Sequence, residues 1–557
     1  MDRKEINIYF GASSLLTALG DKSATIDSMA KGVCGLKYDS RFGMVAGCIE
    51  SAPQVDGLTR FESLVVGQLE AVLNTSGVRL SDADTQIVLS TTKGNIGLLG
   101  EFGWDPVPTS VSLHHSARQI AGYFRCANQP VVISNACISG VSAFIVARDM
   151  LRSGRGIRHL VVVGCDLLSE FITSGFAAFK SVSNSPCRPY DAGREGLTLG
   201  EACGAVLLTT DEQLAEKPLV SLSGGASTND ANHISGPSRT GDGLYYAIAG
   251  ALKEAGIEPD RVGFVNAHGT ATQYNDEMES KAMEWAGLAK RPLNGLKGYI
   301  GHTLGASGVV ETIICVEELR NGRIFGTLGY REQGTSVPLS VSDEEQRIES
   351  TSCCVKTASG FGGCNAAIVL DAGGSKREKR QERQRERIVV RSRYALPQSV
   401  LPFGEWIRNE YKRLNGSNLK FYKMSDLCKA VYVAAENLLM GIDMSAYSPV
   451  RRAVVLSNSV SSLETDVEHQ KIVDRRLPEG ASPAVFVYTL PNVAVGEICI
   501  RHRFQGDNIF FVEEADSGLA EDYARRLLVD DKADVVLCGW CDKFDNTWNV
   551  NLKLLTI

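Results

Sequence analysis

The sequence has no apolar run close to the 18 uninterrupted residues that a membrane-spanning helix requires. Its first residues, MDRKEINIYF, lack the apolar segment of a secretory signal peptide. The fifteen cysteines are an odd number without a repeating spacing, which argues against a disulfide framework. We therefore expect a cytoplasmic protein with reduced thiols and no membrane span.

An excess of positive charge is also missing. The chain has 58 basic and 65 acidic side chains, which give a formal net charge of −7. A nucleic-acid surface needs clustered Lys and Arg over a whole face, so we expect no nucleic-acid partner. Neither a phosphate-binding GxxxxGKS/T loop nor a well-placed GxGxxG turn occurs, so a nucleotide cofactor is unsupported.

Length and strand patterning point to a large α/β protein. The 557 residues are enough for three or four domain-sized units. Up to residue 372, short and almost wholly apolar runs alternate with helix-length segments and glycine turns, which indicates a sheet buried on both faces. The strand-like runs are 86–91, 131–134, 159–164, 204–209, 263–269 and 366–370.

The clearest break in composition is residues 373–393, GGSKREKRQERQRERIVVRSR. Nine Lys or Arg and three Glu lie between Lys376 and Arg393, without an apolar residue before Ile388. Such a run cannot pack, so it predicts a solvated linker between residues 1–372 and residues 394–557. A docking strip for an acidic carrier protein is the alternative interpretation.

After this linker, part of the first region recurs in shortened form. AVVLSNS at 453–459 is similar to IVLSTT at 87–92, and residues 524–544 are similar to residues 147–171. EEADSGLA at 513–520 stands where NACISGVSA stands at 135–143. The tail therefore reads as a copy of the first half of residues 1–372, whose two halves divide near residue 210.

Three residues have the character of an acyl-transfer site. Cys137 follows an apolar strand and precedes a helical stretch, so it lies near a helix N-terminus, which favours thiolate over thiol. His268 and His302 each lie in a glycine-containing turn, and Lys297 precedes His302 by five residues. A cysteine nucleophile with two imidazole donors suits thioester chemistry.

At this point the sequence resembles the β-ketoacyl-acyl-carrier-protein synthases of the cysteine-histidine-histidine type. Five segments carry the resemblance in the family's order: NACISG at 135–140, RPYDAGREGLTLGEACGAVLL at 188–208, HGTAT at 268–272, KGYIGHTLGASG at 297–308 and GFGGCNAAIVL at 360–370. The resemblance implies a thiolase-like fold, in which two βα halves form a five-layered αβαβα core, usually as a dimer. It also implies that the tail is a second, half-length thiolase-like domain.

The resemblance implies a role for each site residue. Cys137 would accept an acyl group from a carrier thioester, while His268 and His302 stabilise the enolate formed when malonyl-carrier loses CO₂. These imidazoles should be neutral, and Lys297 could be the cation that keeps them so. Glu311 would pair with Lys297, although a surface salt bridge is the alternative.

Other implied roles concern the surroundings of the nucleophile. The N–H groups of Cys137 and Phe361 would form the oxyanion hole, and Phe361 would gate the acyl tunnel. Asp276 and Glu279 would be a structural acidic pair. The substrates would be malonyl and acyl thioesters on the phosphopantetheine arm of an acyl carrier protein, with no resident cofactor or metal.

The tail has Ala515 where the first copy has Cys137, and no counterpart of either histidine. It resembles a chain-length factor, an inactive relative that shapes the acyl pocket; a purely structural role in dimerisation is the alternative. Half a thiolase core would leave one apolar sheet face to be covered by the catalytic domain or another chain, as homodimer or heterodimer.

The sequence favours decarboxylative condensation in polyketide, polyene or fatty-acid biosynthesis. A coenzyme A-dependent thiolase is the first alternative, and a noncatalytic scaffold is the second. Segments 91–99 and 174–181 are candidates for lining the acyl pocket. Neither chain length nor primer follows from the sequence, since pocket depth depends on side chains that converge from distant segments.

Overall fold

Apolar strands alternating with helices fill residues 6–349, 352–373, 388–476 and 480–557, the part of the chain that the computed structural model describes. The strands of the first half are β1 (Tyr9–Thr17), β2 (Gly20–Asp21), β3 (Lys37–Asp39), β4 (Met44–Gly47), β5 (Thr85–Ser90), β6 (Val131–Ile133), β7 (His159–Asp166), β8 (Leu199–Gly200) and β9 (Ala202–Thr209). Its helices are α1 (Lys22–Ala30), α2 (Arg60–Ser76), α3 (Leu98–Phe102), α4 (Leu113–Phe124), α5 (Ser139–Arg152) and α6 (Glu170–Ala178).

The second half has a similar alternation. Its strands are β10 (Ser221–Asn229), β11 (Val262–Asn266), β12 (Pro292–Asn294), β13 (Arg323–Ile324), β14 (Ser340–Val341), β15 (Gln346–Arg347), β16 (Cys353–Gly360) and β17 (Cys364–Asp371). Its helices are α7 (Asp242–Ala255), α8 (Gln273–Trp285), α9 (Lys297–Ile300) and α10 (Ser307–Asn321).

The C-terminal region adds a third set of elements. Its strands are β18 (Val389–Ala395), β19 (Arg452–Asn458), β20 (Asn508–Val512), β21 (Val535–Phe544) and β22 (Thr547–Thr556). Its helices are α11 (Phe403–Arg413), α12 (Asp426–Leu439), α13 (Leu463–Asp474), α14 (Pro483–Tyr488), α15 (Val493–His502) and α16 (Leu519–Val529).

All three sets share one strand topology. The first half orders its main sheet β1–β9–β7–β5–β6, with the first two pairings antiparallel and the last two parallel. The second half repeats this as β10–β17–β16–β11–β12. The C-terminal region repeats it as β18–β22–β21–β19–β20. The predicted duplication and the predicted third copy are therefore confirmed.

The elements up to residue 371 form five layers, and this part of the chain is called the catalytic core. Helices α5 and α10 lie between the two sheets, while α2 covers the outer face of the first sheet and α7 that of the second. The two central helices approach closely, because a Cβ on Gly308 would lie 2.4 Å from the backbone N of Val141. This approach brings the N-terminal ends of α5 and α10 together, which is where Cys137 and His302 lie.

The C-terminal sheet continues the first sheet. Strand β20 pairs antiparallel with β6, with Phe511 opposite Ile133 and Val512 opposite Val132. The β6 edge of the first sheet is thus occupied by a strand of the same chain.

The predicted linker is too long at its C-terminal end. Residues 389–393 belong to β18, which pairs antiparallel with β22. Alternate side chains of β18 are partly buried; one of them, Ser392, donates a hydrogen bond to the carbonyl of Leu438 in α12. Residues 374–387 lie outside the described residues, and for them the linker stays a prediction.

The expectation of an uncovered apolar face on the tail is wrong. Helix α12 covers one face of its sheet and α16 covers part of the other. Beyond α16 the strands expose polar side chains at alternate positions, namely Arg391, Arg393, Asn549 and Asn551. The period-2 pattern of these strands makes the face polar, so solvent can cover it.

The structure also bears on two expectations from the sequence, namely that the chain has no membrane-spanning helix and that its thiols are reduced. Within the ranges that the structure describes, no α-helix combines the length and the apolar character needed to cross a bilayer. All fifteen cysteines are free thiols.

Candidate active site

Cys137 lies in the short turn between β6 and α5. Its neighbour Ala136 has a φ of 49°, a backbone region that residues with a Cβ seldom occupy. The Oγ of Ser139 stabilises the turn by accepting a hydrogen bond from the N–H of Asn135 at 2.7 Å and donating one to the carbonyl of Ala136 at 2.6 Å. Such maintained strain is typical of functional turns.

His302 faces the cysteine with one defined ring nitrogen. Its Nε2 lies 3.2 Å from the Sγ of Cys137. Its Nδ1 accepts a hydrogen bond from the N–H of Leu304 at 3.2 Å, and the hydroxyl of Ser307 lies 3.1 Å from the same nitrogen. Because Nδ1 is an acceptor, the proton of the neutral ring is on Nε2 and points toward the sulfur.

His268 completes the cluster. Its ring centroid lies 5.0 Å from that of His302, with the two planes nearly perpendicular at 86°. The ligand atoms of Cys137, His268 and His302 all lie within 4.8 Å of one another. The three residues singled out from the sequence therefore converge, although 165 positions separate the first from the last.

A buried carboxylate and two lysines lie behind the histidines. The Nζ of Lys297 donates to the carbonyl of His268 at 2.6 Å and to Glu311 at 2.7 Å. The Nζ of Lys356 donates to the other oxygen of Glu311 at 2.6 Å. The predicted Lys297–Glu311 pair is confirmed, and the surface alternative is wrong because all three side chains are buried.

Sequence reasoning missed Lys356. A signal was present, since Lys356 is the only charged residue of the buried strand β16. A lysine in such a strand needs a buried anionic partner, which in this structure is Glu311.

Burial and the neighbouring cations control the charge of the site. Burial, followed by the positive charge of Lys297, lowers the pKa of both His268 and His302 well below the usual value, and Lys356 acts in the same direction. Both imidazoles are therefore neutral donors at neutral pH, as the sequence predicted for this chemistry.

The expected thiolate at Cys137 is wrong for the resting protein. Burial raises the pKa of the thiol to about 12, while Lys297 opposes the shift only in part. Loss of solvation outweighs the position of Cys137 at the start of α5, so the sulfur rests as a thiol and must lose its proton during reaction.

The acidic pair acts on the backbone of the His268 turn. Glu279 accepts hydrogen bonds from the N–H groups of His268 and Gly269, both at 2.8 Å. Asp276 accepts from the N–H of Tyr190 at 2.8 Å and of Ala271 at 3.2 Å. These contacts match the predicted structural role of both carboxyl groups.

Phe361 closes one side of the site. The turn at the end of β16 lies against the nucleophile, because a Cβ on Gly360 would lie 3.1 Å from the N of Cys137. The Phe361 ring packs against Phe176 and Phe179, with centroid separations of 6.2 Å and 5.2 Å. This position is compatible with the predicted gate.

The C-terminal region contributes to the same pocket, which the sequence did not show residue by residue. The amide of Asn492 donates to the carbonyl of Phe361 at 2.8 Å. The pocket beside Cys137 is lined by both parts of the chain: Thr92, Lys93, Ile172, Phe176, Leu304 and Phe361 from the catalytic core, and Phe486, Thr489 and Leu490 from the C-terminal region. The candidate segments 91–99 and 174–181 both contribute.

The third copy has no cysteine at the position aligned with Cys137. The turn between β20 and α16, residues 513–518, reads EEADSG and contains Ala515 in that position. The turn therefore cannot form an acyl-cysteine.

Cys137, His268 and His302 could also be considered as metal ligands, because their donor atoms are close together. The surrounding charge disfavours this. The buried ammonium groups of Lys297 and Lys356 lie close enough to the two imidazoles to lower their pKa, and would repel a cation. The charge around the three donor atoms therefore disfavours a metal at this position.

Comparison with family models matches two segments of the chain. Residues 68–213 match the β-ketoacyl synthase N-terminal domain, and residues 219–331 match the β-ketoacyl synthase C-terminal domain. Among curated proteins, 3-oxoacyl-[acyl-carrier-protein] synthase 2 of Vibrio cholerae is 31% identical over 256 residues. This alignment covers 43% of the chain and 61% of the relative, so the chain spans less than two thirds of the relative's length.

Two solved structures extend the comparison. The PfaC keto synthase–chain length factor covers 99% of this chain and 78% of its own, with a TM-score of 0.80 and 14% identity. A type II polyketide synthase ketosynthase, AntDE, solved with its acyl-carrier protein AntF, covers 66% of this chain and 100% of its own, with a TM-score of 0.59 and 21% identity. At these identities the likeness shows the fold, which is thiolase-like and extends into the C-terminal region.

Proposed function

Residues 68–213 and 219–331 belong to the β-ketoacyl synthase family, and from this premise we propose that the protein condenses an acyl group with a malonyl group, both carried as thioesters on an acyl carrier protein. The observation that carries the proposal is the convergence of the Cys137 thiol with two neutral imidazoles, one of which directs its Nε2–H at the sulfur. No resident cofactor is needed for this reaction.

The first step is acyl transfer. The sulfur of Cys137 attacks the carbonyl carbon of the incoming thioester, the new thioester bond forms, and the carrier thiol leaves with a proton. The thiol must lose its own proton as the bond forms, and hydrogen bonding from His302 Nε2–H stabilises the developing thiolate. The N–H groups of Cys137 and Phe361 are proposed as donors to the tetrahedral oxyanion.

The second step uses both imidazoles. Malonyl-carrier loses CO₂, and the electron pair of the broken C–C bond forms an enolate whose oxygen accepts hydrogen bonds from His268 and His302. The enolate carbon then attacks the acyl-Cys137 carbonyl, forming the new C–C bond and breaking the C–S bond. The sulfur leaves as a thiolate and takes up a proton from solvent to restore the resting thiol. Neutral donors suit this step, because they stabilise the enolate without protonating it.

The C-terminal region is proposed to act as a built-in, noncatalytic partner. It has Ala515 in place of the nucleophile, it pairs with the catalytic sheet through β20, and it supplies Phe486, Thr489 and Leu490 to the pocket wall. This proposal places the ketosynthase-like partner within the chain, where the sequence predicted a separate subunit, and it favours the chain-length-factor interpretation. The free cysteines support a reducing compartment such as the cytoplasm.

A thiolase is the less favoured activity. The geometry here presents a second histidine to the nucleophile, whereas Cys364, the cysteine beside this site, donates its S–H to the carbonyl of Phe361 at 3.2 Å. Burial also raises the pKa of Cys364 well above the ordinary value, so it is a poor base. The pathway, fatty-acid or polyketide, depends on the acyl chain and not on this geometry.

The test is a condensation assay with malonyl-carrier and acyl-carrier thioesters, read by intact mass. We expect a 3-oxoacyl product two carbons longer than the primer, and complete loss of this product in Cys137→Ala. The control is Cys126→Ala, a half-buried thiol away from the site. A product that persists in Cys137→Ala contradicts the proposal.

A further inference from the structure

An ion pair crosses the boundary between the catalytic core and the C-terminal region inside the protein. The Nζ of Lys93 donates to the Oδ1 of Asp466 at 2.6 Å and to the hydroxyl of Ser462 at 2.9 Å. The side chains of Lys93 and Asp466 are only 5% and 4% exposed. Neither residue has a place in the condensation chemistry described above.

The pair separates two cavities. On one side is the acyl pocket that contains Cys137, where Lys93 lines the wall together with Phe176 and Phe486. On the other side is a second cavity lined by Lys93 and Asp466 themselves and by apolar residues of both parts of the chain, among them Ile96, Val111, Leu113, Val460 and Leu463. This second cavity has room for only about one water molecule, and Ser112 and Ser461 also line it. An alkyl chain could therefore pass the ion pair only by separating it and widening this space.

We propose that the Lys93–Asp466 pair is a length stop for the acyl chain on Cys137, and that it limits the substrate to chains that end in front of it. This inference rests on the proposed function of the Cys137 site. It names two residues as specificity determinants, one from each part of the chain.

The free-energy cost of separating the Lys93–Asp466 pair supports a fixed end to the acyl pocket, and not a wall that a longer chain could push aside. Separating a buried, hydrogen-bonded ion pair leaves two charges without partners in a poorly solvated interior, which is strongly unfavourable. The methyl end of an alkyl chain offers no hydrogen bond in return, so it cannot take the place of either partner. The chain can therefore lengthen only until it reaches the ammonium group.

The surroundings keep the pair in place. The Nζ of Lys93 lies 6.0 Å from the ring centroid of Phe171, and the Nε2 of His469 lies 3.0 Å from the carbonyl oxygen of the same residue. Ser462 accepts a hydrogen bond from Lys93 and belongs, with Asp466, to the start of α13 and its cap. Both partners are thus attached to ordered elements on their own sides of the boundary.

The experiment measures how fast Cys137 is acylated by acyl-N-acetylcysteamine thioesters from acetyl to tetradecanoyl, by intact mass. The test variant is Lys93→Met/Asp466→Leu, which removes both charges at similar volume, so that a longer alkyl chain has to displace only apolar side chains and not a hydrogen-bonded ion pair. We expect the rate for long chains relative to acetyl to rise on the order of tenfold, the gain that about two further buried methylene groups provide. A second variant, Lys93→Met/Asp466→Asn, keeps a polar group beside Ser462 and serves if the first does not fold.

The matched control is Arg155→Met/Asp522→Leu. This exposed ion pair also joins the two parts of the chain, at 2.6 Å, but lines neither cavity. We expect its chain-length profile to equal that of the unmodified protein. An unchanged profile in a folded Lys93/Asp466 variant overturns the length stop. Failure of the unmodified protein to be acylated by any thioester counts instead against the proposed function.

Discussion

His302 can present only one nitrogen to Cys137, because the N–H of Leu304 occupies the other. The Nε2–H of His302 therefore points toward the sulfur. Burial and the charge of Lys297 lower the pKa of His302, so this donor is neutral. Lys297 itself contacts Glu311 and the carbonyl of His268, not the sulfur. Lys297 therefore affects the reaction by holding the backbone of His268 in place and by lowering the pKa of both imidazoles.

This arrangement predicts an unusual pH dependence. An ordinary histidine gains a proton as the pH falls through about 6.5, but the lowered pKa of His268 and His302 means that both stay neutral there. We expect the rate of CO₂ release from malonyl-carrier to stay level as the pH falls through about 6.5 and to decline only at lower pH. In Lys297→Met one cause of the lowered pKa is lost, so the acid limb should move to higher pH.

The control for this measurement is Lys290→Met, a lysine that forms no contact with the site in the described part of the chain. A fall in rate centred near pH 6.5 in the unmodified protein would show that the imidazoles titrate normally. An acid limb that does not move in Lys297→Met would show that burial alone keeps the rings neutral.

At the scale of elements, the site depends on the distance between α5 and α10. Gly140 and Gly308 face each other at the crossing, where a Cβ on Gly140 would lie 2.6 Å from the N of Val309. Cys137 precedes α5 and His302 precedes α10, so the helix separation sets the contact between sulfur and imidazole. Glycine is required here for close approach and not for an unusual φ.

Gly308→Ala should therefore damage both stability and rate. The added methyl group must push the helices apart, and overpacking of this kind costs about 1–3 kcal/mol of unfolding free energy. The displaced His302 should also lower the rate of decarboxylation. Thermal unfolding and CO₂ release measure the two effects.

The matched control is Gly122→Ala, because a Cβ at this exposed position of α4 would meet no atom within 4 Å. We expect it to be neutral or to stabilise the protein by up to about 1 kcal/mol, since alanine favours the helix. A Gly308→Ala protein with unchanged melting temperature and rate would contradict the proposed dependence on helix separation.

At the scale of the whole molecule, the catalytic core and the C-terminal region are two packed parts of one chain. The two parts share a sheet through β20 and β6, and Lys532 of the C-terminal region forms a buried pair with Asp149 of α5 at 2.8 Å. Asn492 also anchors the gate turn through the carbonyl of Phe361. The catalytic core is thus completed by its own tail.

We expect the protein to be a monomer of 60.1 kDa in solution, because the β6 edge is already paired within the chain. If residues 376–386 form the predicted linker, a protease site introduced there should be cleavable without separating the two pieces, since described contacts such as the β20–β6 pairing and the Lys532–Asp149 pair lie outside that segment. Light scattering after gel filtration, before and after cleavage, measures both outcomes. A dimer mass, or separation of the pieces, would contradict this organisation.

Much of the fold and site follows from local sequence. Almost continuous apolar strands indicate a buried sheet, and the similarity of residues 453–459 to residues 87–92 indicates a third copy. Cys137, His268 and His302 stand out because each lies in a small-residue turn that follows a strand or opens a helix. These features depend on neighbours within a few positions, and so the sequence reports them directly.

Other features depend on side chains that meet only in three dimensions. The thiol state of Cys137 follows from the loss of solvation around its sulfur, the partner of Lys356 lies on another element, and the polar face of β22 appears only once its pairing is known. The Lys93–Asp466 pair joins residues 373 positions apart. The sequence by itself determined the internal repeat and the reacting groups, because both are visible in local patterns of residues. Only the tertiary structure decided which charges are buried together and where the pocket ends, because desolvation and contact depend on the packed arrangement of the whole chain.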